Sequence, residues 1–170
     1  MIILQFRIIL YAFNMKKILI SACLAGDRVR YDDKRVPFKD DLLQKWTMKG
    51  LLVKVCPEVS GGLKIPRPMA QIVNGNGLDV LKGTAKVIDI NGLDVTPLFI
   101  KGAEYALSLA KKYDIQIAIL KEKSPSCGVH HIYEDLNVVP GSGVTTAFLK
   151  QNGIKIFSEN ELNQVRQEYG

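Results

Sequence analysis

The chain has 170 residues, of which 47% are hydrophobic and 24% charged, with 14 glycines and 7 prolines. Those proportions exclude disordered, collagen-like and solenoid chains and describe one ordinary domain, large enough to fold without a disulfide or structural metal. A count of 23 lysines and arginines against 17 aspartates and glutamates leaves a net charge of +6, which favours an anionic partner such as nucleic acid, nucleotide or phosphate, although no run of five like charges demands one.

Met1 to Asn14 contain eleven apolar or aromatic residues, but Arg7 interrupts them and Lys16 and Lys17 follow the run. The order is wrong for a signal peptide and the stretch too short to span a bilayer. Met15 opens MKKILISACL, a natural start for a buried strand. Residues 1–14 are therefore read as an N-terminal extension or start-site artefact ahead of a single domain over 15–170.

Short aliphatic runs at 17–21 (KILIS), 51–55 (LLVKV), 85–90 (AKVIDI), 115–120 (IQIAIL) and 154–157 (IKIF) predict strands covered on both faces. Helices are predicted over 39–49, 96–113, 143–151 and 159–168. Thr96 with Pro97 reads as an N-cap and first-turn proline, Lys111 and Lys112 suit the negative helix end, Ser158 with Glu161 fits a capping box, and Asn152-Gly153 forms a stop. The alternation predicts an α/β class: a single Rossmann-like three-layer domain with a mostly parallel sheet. Phe38 and Trp46 are assigned to a helix face against that sheet.

Three cysteines, an odd and sparse set with no CxxC pair, argue for a reducing, cytoplasmic setting over a secreted disulfide framework. Cys23, Cys56 and Cys127 each fall at or beyond the carboxyl end of a predicted strand, where ligands of open parallel sheets bind. The ordinary alternative is three buried structural thiols. Their neighbours, Cys-Leu-Ala-Gly, Cys-Pro-Glu-Val-Ser-Gly-Gly and Ser-Pro-Ser-Cys-Gly, build loops more readily than cores. Three thiolates without an obvious fourth ligand suit either an iron–sulfur cubane with one open iron or a zinc ion completed by water.

SACLAGDRVRYD, CPEVSGGLKIPRP, KEKSPSCG and GVTTAFLKQNGIKIFSE together resemble the thiouracil desulfidase family, also catalogued as domain of unknown function 523, over about residues 15–161. The resemblance implies a 4Fe-4S cluster held by Cys23, Cys56 and Cys127 with one iron open, prone to loss on aerobic purification. It implies removal of sulfur from a thiolated pyrimidine such as 4-thiouracil, giving uracil and sulfide without net redox change. The expected partner is that small base or nucleoside, with tRNA or a nucleotide possible and no membrane.

Within this frame Glu58, inside the CPE motif, is the expected general acid or base. A serine of SPSC, Ser124 or Ser126, is the expected catalytic or substrate-orienting hydroxyl; the other is then a turn hydroxyl. Arg28, Arg67, Gly61 and Gly62 are expected to bind substrate, Arg67 because flanking prolines hold it extended. His130 and His131 are not expected to be ligands. The sequence departs from the family's usual pattern in PRPMAQI, where Gln71 replaces a glutamate, and in a shortened stretch after IYED. A redox-sensing nucleotide- or RNA-binding module and a thiol-based transferase are the alternative readings.

Overall fold

The computed structural model describes residues 16–35, 38–135 and 137–169. The reading of residues 1–14 lies outside them. Four strands form the central sheet: β1 (Ile18–Ser21), β2 (Leu52–Val55), β5 (Ile117–Leu120) and β8 (Lys155–Ser158), all parallel, in the order β2-β1-β5-β8. Successive side chains of β1 point to opposite faces. Ile18 and Ile20 join Leu42, Leu43, Trp46, Leu162 and Val165 on one side, while Leu19 joins Ala106, Ala110, Leu120 and Leu149 on the other. The three-layer arrangement expected from the aliphatic runs is what these two cores build.

Helix α1 (Asp41–Met48) covers the first face and starts where the Asp40 carboxylate accepts the amides of Leu42 and Leu43 at 2.8 and 3.3 Å. Trp46 is 2% exposed and belongs to this core; Phe38 packs on the same core but precedes the helix. After β8, the Ser158–Glu161 capping box opens a 3-10 turn (Glu159–Glu161) that leads into a terminal helix, Leu162–Tyr169. Gly153, at φ +79°, makes the left-handed turn into β8 as expected.

Three features differ from the expected plan. The run at 85–90 yields β4 (Lys86–Asp89), but this strand pairs antiparallel with β3 (Ala70–Val73) in a separate two-stranded sheet. Its alternate residues are exposed or half-exposed, so it is covered on one face, not two. A second antiparallel pair, β6 (His131–Glu134) with β7 (Asn137–Pro140), was not predicted. Finally, Thr96 does not cap its helix, Thr96–Lys112: its hydroxyl accepts the Val87 amide at 2.8 Å, and the Asp94 carboxylate accepts the Thr96 amide at 3.0 Å.

Two short helices also escaped prediction: α2 (Pro57–Gly61) and α3 (Gly77–Leu81). In chain order the helix Thr96–Lys112 is then α4 and Val144–Gln151 is α5. Among the described residues no helix is long and apolar enough to cross a membrane.

Candidate active site

The carboxyl ends of the adjacent strands β2, β1 and β5 launch the three cysteine loops. Cys56 follows β2 directly and is the N-cap of α2; Cys23 lies two residues past β1; Cys127 lies within the loop that joins β5 to His131. Cys23 and Cys56 are half-buried and Cys127 is 6% exposed.

Burial pushes all three thiols up from their ordinary range. For Cys23 burial and then the charge of Cys56 raise the value to about 11 against the pull of Lys121 and Arg30. For Cys56 burial outweighs its Val59 hydrogen bond. Cys127 is raised furthest, by burial and then, against a Ser21 hydrogen bond, by the charges of Cys23, Cys56 and Glu58. Thiols 33 and 71 residues apart in sequence thus stand within one another's electrostatic range.

The Cys56 arm is fixed by two glycines. A Cβ on Gly61 would lie 2.0 Å from the Leu98 carbonyl oxygen, and one on Gly102 would lie 2.0 Å from that of Pro57, so α2 and α4 meet backbone to backbone. Gly61 is buried in this contact and Gly62, at φ +117°, is the left-handed cap ending α2. Both glycines seat the helix. Glu58, in the first turn of α2, is 17% exposed at its side chain.

The Cys127 arm is fixed by α5. The first amides of that helix donate to the loop: Val144 to the Pro125 carbonyl at 2.9 Å and Thr145 to that of Ser126 at 2.9 Å. These bonds satisfy donors that a helix start leaves unpaired. Thr146 Oγ1 donates to the Cys127 carbonyl at 2.8 Å. The Glu122 carboxylate accepts the amides of His130 and His131 at 3.0 and 2.6 Å, closing the turn behind Cys127.

The two serines separate in this geometry. Ser126 is fully buried and its hydroxyl bonds Thr145 Oγ1 at 3.0 Å. Ser124 Oγ accepts the amides of Ser126 and Cys127, both at 3.0 Å, and its own proton faces Glu58 Oε1 at 3.5 Å. Ser124 and Glu58 therefore meet across 66 residues of sequence, between the loops of Cys56 and Cys127.

Arg67 reaches Glu58 from the other side, with Nε donating to Oε2 at 2.7 Å. Arg28 stands apart from this group, more than half exposed and paired with Asp33 at 2.6 Å, next to Lys34 and Arg35 in an open depression. His130 and His131 engage the carboxylates of Glu161 at 3.0 Å and Glu122 at 3.8 Å. Gln71 exchanges two hydrogen bonds with Asp135, at 2.9 and 2.8 Å, tying β3 to the turn between β6 and β7. A glutamate at position 71 would confront Asp135 there, so the two departures from the family pattern meet at one contact. A separate hollow near Trp46 and Tyr169 lies at the amino ends of β1 and β5, remote from the cysteines.

A tetrahedral zinc site needs thiolates about 3.8 Å apart, given Zn–S bonds near 2.3 Å. Among the described residues no three Cys, His, Asp or Glu side chains gather closely enough to hold one metal ion. A cubane asks for wider spacing, because each thiolate holds a different iron. Cys23, Cys56 and Cys127, on three separate loops at one end of the sheet, are the residues that would hold such a cluster.

Ser21, Glu122, Thr145 and Thr146 were not singled out in the sequence, although each lies close to a cysteine loop in space and all four fall inside the motif blocks. Their role is to hold the loops, which polarity alone does not reveal.

A family model described as 2-thiouracil desulfurase matches residues 18–161. An uncharacterized protein, YbbK of Bacillus subtilis (strain 168), is 43% identical over 151 residues, covering 87% of this chain and 99% of the relative. A solved structure of the 4Fe-4S-dependent thiouracil desulfidase TudS (DUF523Vcz) superimposes with a TM-score of 0.82 at 40% identity, covering 90% of this chain and 97% of that one. With three cysteine loops, an α/β core and matches running nearly end to end, the chain belongs to the 2-thiouracil desulfurase family.

Proposed function

We propose that this protein is an iron–sulfur-dependent desulfidase that converts a thiolated pyrimidine, 4-thiouracil or a related base or nucleoside, to uracil and sulfide by hydrolysis. The observation that carries the reading is the meeting of Glu58 and Ser124 between the loops of Cys56 and Cys127. Cys23, Cys56 and Cys127 hold the 4Fe-4S cluster, which supplies a soft Lewis-acidic iron suited to a thiocarbonyl sulfur.

Glu58 Oε1 takes a proton from the water that attacks the thiocarbonyl carbon and returns it to the departing sulfur. The carbon–sulfur double bond is replaced by carbon–oxygen, sulfur leaves as hydrogen sulfide with both protons of the water, and no electrons change hands. Ser124 is the assisting hydroxyl: two amides fill its lone pairs, leaving its proton directed at Glu58. Ser126, bonded to Thr145, holds the loop. Arg28, with Lys34 and Arg35, offers positive charge to the polar end of a nucleoside or nucleotide substrate. A transferase using one thiolate nucleophile would instead work without iron and need only one of the three cysteines.

The test is anaerobic reconstitution with iron and sulfide, followed by sulfide release from 4-thiouracil, 2-thiouracil and 4-thiouridine. Turnover of at least one is expected, and inactivity on all three overturns the reading. Glu58→Gln should keep the visible absorbance of the cluster while reducing turnover at least about 100-fold, the usual worth of a positioned acid or base.

A further inference from the structure

Arg67 is the most completely engaged cation in the site. Its side chain is 5% exposed. Nε donates to Glu58 Oε2 at 2.7 Å, one terminal nitrogen donates to the Val29 carbonyl at 3.0 Å, and the other to the Lys64 carbonyl at 3.4 Å. Its backbone amide donates to the Tyr31 carbonyl at 2.9 Å. The Val29 carbonyl also receives the Cys56 thiol at 3.7 Å. All three guanidinium nitrogens therefore have protein acceptors, Val29 on the segment following Cys23 and Glu58 and Lys64 on the chain that precedes Arg67.

We propose that Arg67 is a positioning residue, fixing Glu58 so that one carboxylate oxygen is spent on the guanidinium and the other is presented to Ser124 and the reacting atoms. The inference rests on the role given to Glu58 above. Glu58 sits on a five-residue helix, and its side chain would otherwise swing among several rotamers. The planar fork of arginine stops that swing on one side, while Ser124 marks the direction left open. The pair is largely buried near the thiols of Cys56 and Cys127, where a lone carboxylate is costly and a guanidinium offsets its charge. Lysine, a point charge on a flexible stem, cannot hold Val29, Lys64 and Glu58 together.

The test uses the full chain, anaerobically reconstituted, as Arg67→Ala and Arg67→Lys. The expected result is a kcat about 100-fold lower in the alanine variant, the scale of an angstrom-sized misplacement, with KM within about threefold of wild type. Cluster absorbance stays at the wild-type level, and added guanidinium ion restores part of the lost kcat. Lysine is expected to recover no more than about a tenth of wild-type kcat, and it serves where the alanine variant fails to fold. In the Glu58→Gln background, loss of Arg67 should cost nothing further in kcat. On the iron-free chain, the two substitutions should lower thermal stability by less than the sum of their separate effects.

A raised KM with unchanged kcat would make Arg67 a substrate ligand and overturn the proposal. So would additive losses with Glu58→Gln, or a lysine variant with wild-type kcat. Normal turnover by Glu58→Gln alone would instead remove the role of Glu58, a separate failure.

Discussion

The loops of Cys56 and Cys127 contrast with the segment that follows Cys23. The first two are locked by backbone: Gly61 and Gly102 press α2 on α4, and a Cβ on Gly143 would lie 2.4 Å from the Ser126 carbonyl. The segment after Cys23 is held largely by side chains and local turns, with Arg28–Asp33, Arg30–Asp32 and Lys54–Asp27 ion pairs at its rim. Backbone contacts admit little adjustment, whereas exposed ion pairs are worth roughly 0–1 kcal/mol each. Glu58 and Ser124, the pair proposed to act together, ride on the locked loops. Exposed charge of the kind that meets substrates of varied shape rides on the other.

The sharpest way to break this contrast is Gly102→Ala. The new methyl would overlap the Pro57 carbonyl oxygen, which is backbone and cannot rotate away. A loss of about 3 kcal/mol, the upper end for overpacking, is expected in chemical denaturation, together with weaker retention of iron during gel filtration. A fall below 1 kcal/mol would show that α2 and α4 can separate cheaply.

Ser126→Ala should cost about 1–2 kcal/mol because Thr145 Oγ1 loses a buried partner, yet turnover should stay within about threefold of wild type. Ser124→Ala should reverse the pattern, with a larger loss of turnover than of stability. If Ser126→Ala were the inactive one, the assignment of the two hydroxyls would have to be exchanged.

The smallest effect belongs to the exposed side. Arg28→Ala should change stability by less than about 0.5 kcal/mol, since its partner Asp33 is also well solvated. Its consequence is expected in KM for a phosphorylated nucleoside, which should rise and become less salt-dependent, while KM for free 4-thiouracil should hardly move. Equal shifts for both would detach Arg28 from the phosphate end of any substrate.

Much of this was legible in advance. Continuous aliphatic runs such as IAIL and ILIS declare strands buried on both faces, and the terminal capping box and the Asn152-Gly153 stop were readable from side-chain chemistry. The run at 85–90 carried the same letters but a different partner: β4 pairs with Ala70–Val73, whose Ala-Gln-Ile-Val is a short run broken by a glutamine. The hairpin of β6 and β7 is largely exposed, so its composition carries little imprint of a core. The five-residue helices α2 and α3 are too short for a helical period to show.

By itself the sequence determined the parallel α/β core and marked the three cysteine loops, because burial and loop formation act on neighbouring residues and leave local patterns. Only the tertiary structure decided that Ser124 faces Glu58 while Ser126 faces Thr145, that Arg67 holds Glu58, and that Gly61 seats a helix. Those pairings join residues 66, 19, 9 and 37 positions apart, and what a side chain touches at such separation depends on how whole elements pack.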